Sequence, residues 1–313
     1  MRRLYTLRVL IVLTFSPLTV ASNVSATTIY DTPGNFDVVT ALDDVVVSNG
    51  AHVTFLPGGS ATAPPTSDSF DGPGVLLEAN SSLTVAGGTI VGSDRISGSF
   101  GTDTGIRGLE ADGSTLTISS GSVTGGFGDT AIWLNGADVT VTGGTIAGGV
   151  DNQGFGGFAL NLNNGNIDIS GGDFIGQKTT TLNFFQMSGT ISGGSFTTLD
   201  QFQILALGAF DTPSTLNITG GEWELDTLIS VGDLTTINFF GTGFQIEPIV
   251  VFGRQRELLT GTLQDGNDIR FVLNVFGDDA AVNLVPEPTS LVLLSLGGIT
   301  LITRRRREGS DRH

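Results

Sequence analysis

The stretch Asp138–Ile146, D-V-T-V-T-G-G-T-I, constrains this chain more than any other, because relatives of it recur throughout the middle of the sequence. With Val141 as reference, the equivalent residues are Val85, Ile118, Ile169, Ile191, Ile218 and Phe239. Five positions later stand Ile90, Val123, Ile146, Phe174, Phe196, Trp223 and Phe244. Two positions earlier are Leu83, Leu116, Val139, Ile167, Gly189, Leu216 and Ile237, and nine positions earlier Leu76, Leu109, Ile132, Leu160 and Leu182. Successive references lie 21 to 33 residues apart. Apolar positions that return at such intervals inside short alternating runs belong to an array that stacks one lap on the next, not to a single globular core.

Alternation assigns the faces. Immediately before the reference come Thr84, Thr117, Thr140, Asp168, Thr190, Asn217 and Asn238, which point outward while the flanking aliphatic residues point inward. The pairs Gly87-Gly88, Gly143-Gly144, Gly171-Gly172, Gly193-Gly194 and Gly220-Gly221 mark one repeated corner, and the copy at Ser120-Gly121 keeps only the second glycine. Charged residues make up only 14% of the chain and glycine 46 of its 313 residues, a balance that favours an ordered all-β protein over disorder. There is no cysteine, so neither disulfides nor a thiolate zinc site contributes to stability.

Both ends are segmented. Met1-Arg2-Arg3 and Arg8 precede the apolar run Val9–Val20 and a small-residue stretch ending at Ala26, the layout of a secretory signal peptide. The other end reads Val285-Pro286-Glu287-Pro288, then an apolar run from Ser290 to Thr303, then Arg304, Arg305, Arg306 and Arg307. Four arginines after an apolar helix act as a membrane stop and hold that end in the cytoplasm. Between Thr27 and Thr303 there are 29 acidic residues against six basic ones, a net charge of −23. Such a surface repels nucleic acid.

The triplet Pro286-Glu287-Pro288, the apolar helix and the basic end together resemble the PEP-CTERM sorting signal of Gram-negative, envelope-exporting bacteria. That resemblance implies a transient inner-membrane anchor, recognition and cutting near the triplet by an exosortase-type enzyme, and transfer to the cell surface or an exopolysaccharide matrix. Secretion machinery and the exosortase are then the partners, with exopolysaccharide as a further one. The repeated body is similar to pectate-lyase-like and autotransporter-like β-helices.

The β-helix likeness raises enzyme chemistry by analogy only. Histidine in the body is confined to His52, and the Asn-Thr-Asp, Gly-His-Gly and Arg-x-Lys runs of a polygalacturonase-like site are absent. The best catalytic candidates are Glu222, Glu224 and Asp226 around Trp223. On a strand these carboxylates would share one face at intervals of about 6.6 Å, a spacing usable on a glycosidic bond. Carboxylates on an exposed strand are more often there for solvation. Asp94, Asp103, Asp129 and Asp151, on acidic loops after the glycine corner, are candidate calcium ligands, calcium being the one cofactor in view. The outward Thr117, Thr140 and Thr142 offer a flat face for sugar or ice.

The expected fold is all-β: a single-stranded right-handed parallel β-helix solenoid of about eight coils, with an N-terminal signal peptide and a C-terminal anchor helix. The divisions are a signal peptide over 1–26, an entry or cap segment over 27–44 and the β-helix over 45–244. A β-hairpin cap and spacer follow over 245–284, then the sorting signal with its transmembrane helix over 285–307 and a cytoplasmic tail over 308–313. The expected role is structural or adhesive and non-enzymatic, in the cell surface or matrix. The alternatives are a polysaccharide-active hydrolase or lyase and a carbohydrate- or ice-binding module.

Overall fold

A computed structural model describes residues 27–63, 72–94, 105–150, 156–177, 180–199, 203–209, 211–251 and 253–287. Among these residues the chain is all-β, with twenty-two strands and no helix. The strands fall into laps. The first lap is β1 (Thr28–Tyr30), β2 (Gly34–Val38) and β3 (Ala41–Leu42), and the second is β4 (Val45–Val47), β5 (Ala51–Phe55) and β6 (Ser60–Thr62). Three laps follow in which one strand turns the glycine corner: β7 (Val75–Leu77) with β8 (Ser82–Val91), β9 (Leu109–Asp112) with β10 (Thr115–Thr124), and β11 (Ile132–Asn135) with β12 (Asp138–Ala147). The next two laps are single long strands, β13 (Leu160–Gly176) and β14 (Thr180–Thr198).

Every strand from β1 to β13 pairs in parallel with its counterpart one lap later. The reference column is continuous in register: Val85 on Ile118, Ile118 on Val141, Val141 on Ile169, and Ile169 on Ile191. All five side chains are fully buried. Removing each such aliphatic group from water stabilises the fold by about 1.5–3 kcal/mol, and the alternation of each strand delivers several of them per lap. At the corner Gly121 has φ +90°, and a Cβ there would lie 2.2 Å from the Gly88 carbonyl oxygen of the lap below.

Two columns are offset from their expected positions. Val75, not Leu76, is buried over Leu109. The turn after β7, where Asn80 takes φ +64°, carries one more residue than the corresponding turns of the laps that follow. Likewise the residue five positions after Phe55, the counterpart of Val85 one lap earlier, is Ser60, but Ala61 is the one buried beneath Ile90, because the Leu56–Gly59 corner is longer by one. The 27–44 segment is itself a lap, paired strand for strand with the second.

The C-terminal part departs further. After β14 come β15 (Gln203–Gly208), β16 (Ser214–Ile218), β17 (Glu222–Trp223), β18 (Thr227–Val231) and β19 (Thr235–Val251). Beyond them lie β20 (Arg254–Leu263), β21 (Asp268–Val275) and β22 (Ala281–Pro286). β20 runs antiparallel to both β19 and β21, around the Gln264–Asn267 turn. Since β21 also pairs with β18 and β16 with β19, hydrogen bonding runs through β14, β15, β18, β21, β20, β19 and β16 and back to β14. This end is therefore a closed seven-strand barrel rather than the open solenoid expected up to residue 244. The physical cause is the antiparallel pair: β20 joins two walls that parallel stacking alone leaves separate.

The interior of this end is aromatic. Phe174 stacks on Phe196 at 5.0 Å, and Phe196 on Trp223 at 4.1 Å. Phe244, expected as the next rung, is only partly buried against the core. Phe271 takes that place, edge-on to Trp223 at 5.7 Å and tilted against Phe239 at 5.9 Å. The expected anchor helix over Ser290–Thr303 lies outside the described residues, and no described helix is long and apolar enough to cross a membrane.

Candidate functional site

The chemistry-bearing residues do not gather in one place, and the sharpest arrangement is at the end of the chain. β22 lies in parallel register on β19, from Thr236 opposite Ala281 to Gly241 opposite Pro286. Leu284 thus stands on Phe239 as the continuation of the reference column, and Val282 stands on Ile237. Both are partly buried against the core. On the outer face the Asn283 amide donates to Asn238 at 2.9 Å, and the Asn238 amide donates to Asn217 at 2.8 Å. The Glu287 N–H donates to the Gly241 carbonyl at 3.3 Å, so the backbone is tied as far as the middle of the Pro286-Glu287-Pro288 triplet. Pro288 and Arg304–Arg307 lie outside the described residues.

The turn into β22 is also fixed. Gly277 has φ +106°, and a Cβ there would meet Asp233 at 2.7 Å. The Asp233 carboxylate accepts from the N–H groups of Leu234 and Asp279, each at 3.1 Å. Beside this strand, a groove of about 510 Å³ under the β19–β20 arm is lined in part by Ile246, Arg256, Glu257, Val275 and Val282. The alternation Val282-x-Leu284 with an asparagine between, the same pattern as Ile237-Asn238-Phe239, is the sequence signal that marks β22 as a strand of the stack rather than a spacer.

The three candidate catalytic carboxylates are dispersed in their roles. β17 ends at Trp223, so Glu224 and Asp226 sit in the following turn and the even spacing along one strand face is not realised. Glu222 is exposed. Glu224 accepts the Thr198 N–H at 2.7 Å, and Asp226 pairs with Arg270 at 2.8 Å on the surface. Glu224 and Asp226 are thus held by different neighbours.

Of the calcium candidates, Asp94 accepts from the Phe127 N–H at 3.0 Å and Asp129 from the Thr130 N–H at 2.6 Å. Asp103 and Asp151 lie outside the described residues. Among the described residues no group of three or more acidic or histidine side chains is placed to hold a metal ion. His52 shares a 2.5 Å hydrogen bond with Ser82 across neighbouring laps. Thr117 and Thr140 are adjacent rungs of one outward row, with Thr142 exposed just before the Gly143-Gly144 corner.

One cluster escaped the sequence reading. Arg107 pairs with Glu110 at 2.8 Å while its guanidinium lies 4.6 Å over the Trp133 ring, on the wall formed by β9 and β11. Glu110 and Trp133 face each other in register. Their distance in sequence equals one lap, so the signal existed only once the lap length was known.

Residues 284–307 match the model of the PEP-CTERM protein-sorting motif. The motif implies export, sorting towards the cell surface and processing by an exosortase-type enzyme. No curated protein and no solved structure matches the chain.

Proposed function

We propose that the chain is a non-enzymatic structural or adhesive protein of the cell surface or exopolysaccharide matrix, released there from a transient inner-membrane anchor by an exosortase-type system. Its parallel laps are read as a right-handed parallel β-helix whose C-terminal end is closed by the antiparallel β20. The observation that carries this reading is the sorting match beginning at Leu284, directly on the last strand of a stacked body. The outward rows support it. They include side-chain amides that bond to their counterparts in adjacent laps, as along Asn217, Asn238 and Asn283, an arrangement suited to a stiff, wet wall. The separate engagement of Glu224 and Asp226 supports a non-enzymatic role over a glycoside-cleaving one.

The test is to express the full chain in an exosortase-bearing host and measure the mass of the membrane-bound and released forms. The expected result is a surface or matrix species lacking the four-arginine end. Finding the intact arginine end on protein outside the membrane fraction defeats the reading.

A further inference from the structure

The sorting match and the folded body overlap. The match begins at Leu284 while β22 runs to Pro286, so Leu284, Val285 and Pro286 belong to both. A processing signal is ordinarily useful only where an enzyme can grip the chain, yet here its first residues are rungs of a sheet. From Glu287, tied to Gly241, to Ser290 at the start of the apolar run is three residues, a reach of at most about 11 Å. While β22 is in place, the folded body is held within that distance of the segment that the motif sends to the membrane.

We propose that β22 is a latch, and that the processing enzyme acts on the form in which this strand has left β19. The inference rests on the exosortase reading above and specifies the state of the substrate. Gly277 supplies the hinge, since its positive φ and the Asp233-capped turn mark where β22 departs from the lap formed by β21. Freeing the ten residues from 278 to 287 yields a tether of up to about 36 Å. Among the described strands β22 pairs with β19 alone, and neither Val282 nor Leu284 is fully buried. An edge strand with partial burial belongs to the low end of local stability, so its opening precedes that of the body. Closed, it completes the core column over Phe239; open, it exposes the signal.

The lock that tests this uses the in-register pair Asn238 and Asn283. Parallel neighbours are spaced about 4.8 Å apart, inside the Cα window for a disulfide. Because the chain has no cysteine, Asn238→Cys with Asn283→Cys can form only that intramolecular bond in an oxidising exported compartment. In an exosortase-bearing host the full-length double variant is expected to lose its tail at least about tenfold more slowly than the wild type, as expected when cutting follows opening. Reductant, or either single cysteine, restores the rate. Val282→Asp, outside the matched motif, is expected to speed processing. Hydrogen exchange on the wild-type body is expected to show amides 281–287 exchanging faster than those of β14. A locked chain cut at the wild-type rate, or protection of 281–287 equal to that of β14, overturns the latch and leaves the processing reading intact. A wild-type chain that is never cut overturns the processing reading and the latch with it.

Discussion

Between Val75 and Gly176 each lap largely repeats its predecessor with Val, Leu and Ile, whereas from Thr180 onward aromatic rings and an antiparallel strand take over the interior. The two regions solve different problems. A stack of equivalent laps has no built-in end, because every lap presents to the next the same unpaired backbone groups it received. The first laps meet this with strands of three, five and two residues, too short to template much pairing. The last laps meet it by bending hydrogen bonding into a ring, with Phe271 filling the space between Trp223 and Phe239. Repetition builds length here, and its interruption builds the terminus.

If that division is real, the two regions should melt separately. The chain has two tryptophans, Trp133 in the laps and Trp223 packed against Phe271 in the aromatic interior of the closed end, so a Phe replacement of either leaves a reporter of the other region. Phe271→Ala removes a fully buried ring and is expected to cost about 3–5 kcal/mol. In urea the Trp223 signal should move to lower denaturant while the Trp133 signal stays near its original midpoint, as nearest-neighbour coupling in a repeat array allows. Equal displacement of both signals would mean that the molecule is one cooperative unit. Ile146→Val, a single methyl lost within the laps, should cost only about 0.5–1.5 kcal/mol and move the Trp133 signal instead.

Glycine gives a second contrast. Gly121 in the wall and Gly253 at the tip of the β19–β20 arm both have positive φ, but a Cβ at Gly253 meets nothing within 4 Å while one at Gly121 collides with backbone. Gly253→Ala should therefore cost only the conformational penalty of about 1–2 kcal/mol. Gly121→Ala adds a displacement of the adjoining lap and should lower thermal stability clearly more. Comparable melting temperatures for the two variants would show that the corner is not held by its neighbours.

Much of the lap architecture was legible because burial alternates faithfully and the reference column needs no gaps from Val85 to Phe239. The errors cluster where one residue is added between columns, at the turn before Ser82 and at the Leu56–Gly59 corner, since a period-two pattern moved by one residue looks equally regular. The ring was not legible. Phe244 satisfies the same five-residue spacing as Trp223, and nothing in that spacing reveals that β20 will draw its strand outward and leave Phe271 to fill the core. The carboxylates were misplaced for a related reason: Glu222, Glu224 and Asp226 alternate as if on one strand, but the chain turns after Trp223. Asp226 takes φ +63° in that turn, beyond what alternation alone can specify.

Smaller effects test the surface of each region. The Asp226–Arg270 pair ties the ring across β18 and β21, yet both side chains are more than half exposed. Arg270→Ala is expected to cost no more than about 1 kcal/mol, and less at high salt. A larger loss would mean that Arg270 positions the Asp226 turn beyond its charge.

The smallest effect, nil at neutral pH, concerns the opposite end. Tyr30 packs against Phe36 at 5.0 Å in the first lap, and burial raises its pKa above the ordinary 10.0. The folded state therefore favours the neutral phenol. As pH climbs past 10 the unfolded chain ionises first, so stability that is intact below that value declines until the folded group also ionises. Once residues 1–26 are removed Tyr30 is the sole tyrosine, and ultraviolet absorbance reports its ionisation directly. The expected outcome is a midpoint above 10, with the first lap losing amide protection over the same range while the ring keeps its own. Tyr30→Phe should abolish that difference. A midpoint at or below 10 would place the phenol in water and the first lap's cover elsewhere.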